Sequence, residues 1–150
     1  MRLKTPYTVD AIPFPEHPAP QAEREAWANL NGEWNLKKLS SDGKELFNGK
    51  ILVPFSPETL NSGIEEGFVL GEDESLVYQR AFPLTSEQLA GKILLHFGAV
   101  DSECVVFLNG KEVGKLLADA FGIMQNFLVG QKLAFRGRTR VADHAGETAA

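Results

Sequence analysis

Cys104-Val105-Val106-Phe107-Leu108-Asn109-Gly110-Lys111-Glu112-Val113-Gly114 is the stretch that decides the fold. Asn-Gly between two short apolar runs is the strongest local signal for a β-hairpin, because both residues tolerate the positive φ that a tight type I′ turn demands. Outward from this hairpin the pattern stays β. Ile93, Leu95 and Phe97 alternate on one face of a strand, and Leu76, Tyr78 and Phe82 share a face of another that Pro83 closes. Ile51-Leu52-Val53 is an apolar run ended by Pro54, and Trp34 and Leu36 alternate with polar neighbours. Short strands divided by Pro/Gly loops, with no useful stretch of helical period among them, predict an all-β antiparallel β-sandwich.

The flanks read differently. Residues 1–25 contain Pro6, Pro13, Pro15, Pro18 and Pro20, a spacing that excludes helix and central strand and predicts an extended arm over a surface. Residues 26–115 form the predicted sandwich. Residues 116–150 make an atypical tail: 116–135 is apolar with no clean period, and 136–150 is polar and rich in small residues, the composition of a disordered segment. A jelly roll needs about eight strands, and only five or six precede Lys115. The sandwich is therefore expected to be incomplete, with Ile93, Leu95, Val106 and Leu108 partly bare and strand edges exposed.

Composition excludes several classes of function. The chain has 150 residues, one domain at most, and 43% of them are hydrophobic against 23% charged, as in a soluble globular protein. A net charge of −5 opposes a nucleic-acid partner, which selects basic surfaces. No run approaches the length of a membrane helix, and the basic start lacks the apolar segment of a secretory signal. One cysteine, Cys104, leaves no internal disulfide and fits a reducing, cytoplasmic compartment.

Five motifs carry a resemblance. Asn29-Leu30-Asn31-Gly32-Glu33-Trp34 is similar to an "LNG-x-W" opening, and Val53-Pro54-Phe55-Ser56-Pro57-Glu58 with Ser62-Gly63 to a "VPF-x-PE…SG" loop. Val77-Tyr78-Gln79-Arg80-Ala81-Phe82 is similar to a "WYRR-x-F" strand, with Val77 in place of the tryptophan. Leu95-His96-Phe97-Gly98-Ala99-Val100-Asp101 and Val106 to Gly114 match "LHFGAVD" and "V-x-VNG-x-x-VG". In this order and spacing they resemble the N-terminal sugar-binding domain of family 2 glycoside hydrolases, the β-galactosidases, β-glucuronidases and β-mannosidases. The resemblance implies a galactose-binding-like jelly roll and a β-glycoside partner. It also implies neighbouring immunoglobulin-like and TIM-barrel domains in the full enzyme, the barrel holding the catalytic glutamates. It stops at Lys115, where Leu116-Leu117-Ala118-Asp119 replaces the histidine and Gly-Gly pair of the family. A shifted reading frame is one account of that break; a divergent end or a cloning scar is another.

No catalytic residue is assigned to this chain. A glycosidase needs two carboxylates held across the scissile bond, whereas Glu65, Glu66, Glu72, Asp73 and Glu74 crowd one Gly-bounded loop and read as a solvated charge run. His96 has no second histidine near it in sequence and reads as structural, and Cys104 as a small hydrophobe. Neither a metal nor a cofactor is expected. For sugar contact the candidates are Trp27, which lies before the first strand and otherwise clamps the arm, and Asp101, whose carboxylate otherwise bonds its own turn. Trp34 and Tyr78 fall in strand patterns and read as core, and Arg80 as a stack on an aromatic ring or an ion pair. Two further readings stand beside the family 2 domain: an independent carbohydrate-binding module, and an interaction domain with no sugar ligand.

Overall fold

A computed structural model describes residues 12–17, 21, 27–97, 103–117, 125–128 and 132–138; for 116–117, 125–128 and 132–138 only the backbone is described. The strands are β1 (Gly32–Leu39), β2 (Glu45–Val53), β3 (Ser75–Ala81), β4 (Leu94–Phe97), β5 (Glu103–Leu108), β6 (Lys111–Leu117), β7 (Gln125–Leu128) and β8 (Lys132–Arg138). Among the described residues the longest helix is α1 (Ser86–Ala90), one turn fixed by a capping box between Thr85 and Gln88. None is long and apolar enough to cross a membrane.

Among the described residues all strand pairings are antiparallel. Six strands form one sheet in the order β2-β1-β3-β8-β5-β6, and β4 and β7 form a second. The core lies between them: Trp34, Leu36, Ile51, Leu76, Cys104 and Val106 of the larger sheet pack with Leu95 of the smaller and with Ile64 from a connecting loop. β1 shows why the sequence folds this way. Gly32, Trp34 and Leu36 are buried while Glu33 and Asn35 between them are exposed, the period of two that gives a strand one wet face. The predicted hairpin joins β5 to β6, with Asn109 at φ 51° and Gly110 at φ 82°.

The tail departs from expectation. Lys132–Arg138 is a strand, and it sits between β3 and β5, where Phe135 stands opposite both Tyr78 and Val106 in the register. Lys132-Leu133-Ala134-Phe135-Arg136 does alternate; dividing the tail at Phe135 into apolar and polar halves cuts the strand in two and hides its period. With β8 in place the facing edges of β3 and β5 are paired. Leu95 and Val106 are buried at 7% and 0% exposure, not partly bare, although Ile93 and Leu108 stay half-buried. The expected disorder of 139–150 lies outside the described residues.

Two measurements check this architecture. Amides of Lys132–Arg138 should resist hydrogen exchange as strongly as those of Glu103–Leu108, because both strands are paired on either side. Gly110→Ala should lower unfolding free energy by about 1 kcal/mol in urea, from left-handed backbone strain alone, since an added Cβ meets nothing within 4 Å.

Candidate functional site

Three of the motif segments meet where the arm crosses the sheet. The carbonyl of Leu30 accepts the Trp34 Nε1–H at 2.7 Å and the Arg80 Nη1–H at 2.7 Å. The same Arg80 nitrogen donates to the Asn31 carbonyl at 2.8 Å, and the guanidinium carbon lies 5.9 Å from the Trp34 ring centroid. A planar cation with several donors suits this task, closing two carbonyls while stacking on an indole. Arg80 is thus committed to the backbone and to Trp34, the aromatic stack read from sequence.

The asparagines extend the junction to the arm. Asn29 Nδ2 donates to the Phe14 carbonyl at 2.8 Å, and Asn31 Nδ2 to the Pro13 carbonyl at 3.0 Å. The Asn31 N–H in turn donates to Asn29 Oδ1 at 2.8 Å, closing an Asx turn. Pro13 is fully buried, and Phe14, at φ 51°, sets its ring 6.0 Å from Phe55 of the Val53-Pro54-Phe55 loop. That loop contains a cis Val53-Pro54 bond. It is anchored by buried Ser62, whose Oγ donates to the Thr59 carbonyl at 2.8 Å and accepts the Ile64 N–H at 3.1 Å. Sequence reading missed Asn29 and Asn31 as the pins of the arm; the Asn-x-Asn-Gly spacing was the available signal.

Among the described residues, the other groups singled out in the sequence stand apart from one another. Trp27 is half-buried, its ring edge-on to His17 at 4.6 Å, so it contacts the arm. Asp101 lies outside the described residues. His96 is exposed on β4, on the opposite face from buried Leu95. Burial pushes the Cys104 thiol up to about 11, far from the thiolate a nucleophile requires. The Tyr78 hydroxyl is pushed up to about 12, chiefly by burial and secondarily by the charge of Glu58. Of the acidic loop, Glu65, Glu66, Glu72 and Asp73 are exposed as a charge run would be. Glu74 is not part of it: it accepts the Gly71 N–H at 2.7 Å and pairs with Lys38 at 3.1 Å, which together hold its carboxyl below the usual range. Among the described residues no group of three or more His, Cys, Asp or Glu could hold a metal ion.

The fold and this junction define a class: an all-β sandwich whose motif residues serve packing and backbone closure. Solved structures of glycosidases share that fold. The β-D-mannosidase of Dictyoglomus thermophilum is 25% identical with a TM-score of 0.54, over 75% of this chain and 15% of its own. The β-glucuronidase of Bifidobacterium dentium, solved with coumarin-3-O-glucuronide, is 23% identical with a TM-score of 0.50, over 71% of this chain and 19% of its own. That of Ruminococcus gnavus, with D-glucaro 1,5-lactone, is 17% identical with a TM-score of 0.54, over 73% and 21%. The resemblance read from the five motifs is met by this likeness to a β-mannosidase and β-glucuronidases. The chain spans about a fifth or less of the length of the enzymes it matches. No protein-family model and no curated protein sequence matches it.

The junction and the buried hydroxyl and thiol give two expectations. Arg80→Ala should cost about 2 kcal/mol in a urea titration, the scale of hydrogen bonds to a charged donor, with Arg80→Lys intermediate. Tyr78 and Cys104 both have folded pKa values above their ordinary 10.0 and 9.0, so folding favours their neutral forms. The stability this supplies is complete below about pH 9 and is lost as pH rises toward 12. Tyr78→Phe should flatten the portion of that decline above pH 10.

Proposed function

We propose that this chain is the non-catalytic sugar-binding domain of a family 2 glycoside hydrolase, cytoplasmic in location. It recognises β-glycosides and, in the full enzyme, packs beside the barrel that performs hydrolysis. One observation carries the reading: the five motifs, in family order, fall within a chain that shares its fold and 25% of its residues with a β-mannosidase over three quarters of its length. The site chemistry supports a non-catalytic role. Arg80, Trp34, Asn29 and Asn31 are engaged with the protein's own backbone, and the Cys104 thiol is held neutral.

Two assays test the reading. The purified chain should not turn over nitrophenyl β-galactoside, β-glucuronide or β-mannoside; turnover abolished by replacing one of its glutamates would overturn the non-catalytic assignment. Calorimetric titration with galactose, glucuronate, mannose and their β-glycosides should detect binding to at least one. Silence with all of them would favour an interaction domain without a sugar ligand.

A further inference from the structure

We propose that the outward face of the six-stranded sheet, the face turned away from β4, is a platform for a neutral β-linked oligosaccharide. This rests on the carbohydrate-binding reading and assigns a site to it. The register places Lys50, Asn35, Gln79, Ala134, Phe107 and Glu112 in one row across β2, β1, β3, β8, β5 and β6. Asn35 is exposed between buried Trp34 and Leu36, and Gln79 is exposed beside core-packed Tyr78. Phe107 is half-buried; its neighbours Val106 and Leu108 belong to the core or pack on it, and Phe107 does not. Opposed residues of an antiparallel sheet share a face, so these three belong to the outward side.

Ordinary polar-out alternation accounts for Asn35 and Gln79. It does not account for Phe107, nor for half-buried Val77 and Val105 in the adjoining row. A ring with amides in line with it matches the two surfaces of a pyranose, whose C–H face stacks on an aromatic while its hydroxyls both donate and accept. Charge points to an uncharged ligand. The charged side chains described in the two rows are matched in pairs, Lys50 with Glu33 at 2.9 Å, Lys37 with Glu45 at 2.6 Å and Glu112 with Lys115 at 3.9 Å, and the chain as a whole carries −5. Asn35 and Phe107 stand three strands apart, about 14 Å at the usual strand spacing, which calls for an oligomer and not a single sugar.

The test is an amide NMR titration of the full chain with β-1,4-linked mannotetraose, cellotetraose and tetramannuronate. One neutral tetramer should shift Asn35, Gln79 and Phe107 more than residues of the arm junction. Asn35→Ala and Gln79→Ala should each weaken it by about five-fold, one hydrogen bond's worth of binding, with thermal unfolding unchanged, and Phe107→Leu by about five-fold through the loss of a ring contact. The wild-type shift map decides the matter even if a variant fails to fold. Neutral tetramers that bind but shift other residues would overturn this site and leave the carbohydrate reading standing. Preference for tetramannuronate would overturn the neutral-ligand assignment. No binding of any tetramer or monosaccharide would overturn both.

Discussion

The carbonyl oxygen of Leu30 locks the entry of β1 to β3 beyond the end of the ladder that pairs the two strands. It takes one hydrogen bond from the indole of β1 and one from the guanidinium of β3, fifty residues away in sequence. A carbonyl has two lone pairs to fill, and a half-buried one left short costs on the order of 1–3 kcal/mol. Filling both here fixes the entry angle of the chain into β1. That angle sets Asn29 and Asn31 where their side-chain amides reach the carbonyls of Phe14 and Pro13, and so seats the arm against Phe55. The Asn29–Trp34 and Val77–Phe82 segments and the arm form one hydrogen-bonded unit around this acceptor, and the Phe55 loop joins it through a ring contact.

Residues with chemical potential are thereby tied into the fold. Arginine, tryptophan and asparagine at a surface usually suggest ligand recognition, yet each is spent on the protein's own main chain. The likeness to glycosidase structures is one of fold, and a sugar site is a separate matter from this junction.

Much of the fold could be read from sequence. Period-two alternation around Trp34, Tyr78, Leu95 and Val106, and the Asn109-Gly110 turn, are local signals, and each marks a strand or hairpin that is present. β8 escaped because its alternation spans a compositional boundary and because its pairing with β3 and β5 leaves no local trace. The junction was half legible. Arg80 on an aromatic follows from its place in a strand among aromatics, whereas the bond from Asn31 to Pro13 depends on how an irregular arm folds back, which no periodicity encodes. Glu74 looked like one more solvated carboxylate until the turn at Gly71 brought a backbone N–H to it.

The position of β8 also sets the order in which the molecule can assemble. The β5–β6 hairpin closes across two residues, a microsecond event. β8 must find Val77, about sixty residues upstream, before the two halves of the large sheet become one. Loop closure over that span is paid before the reward arrives, which places the chain among slow, high-contact-order folders. Until β8 docks, β3 and β5 each present an open edge, the template on which chains pair with one another. The vulnerable interval for aggregation is therefore the wait for the last described strand, and chaperone capture or dilution during refolding would act there.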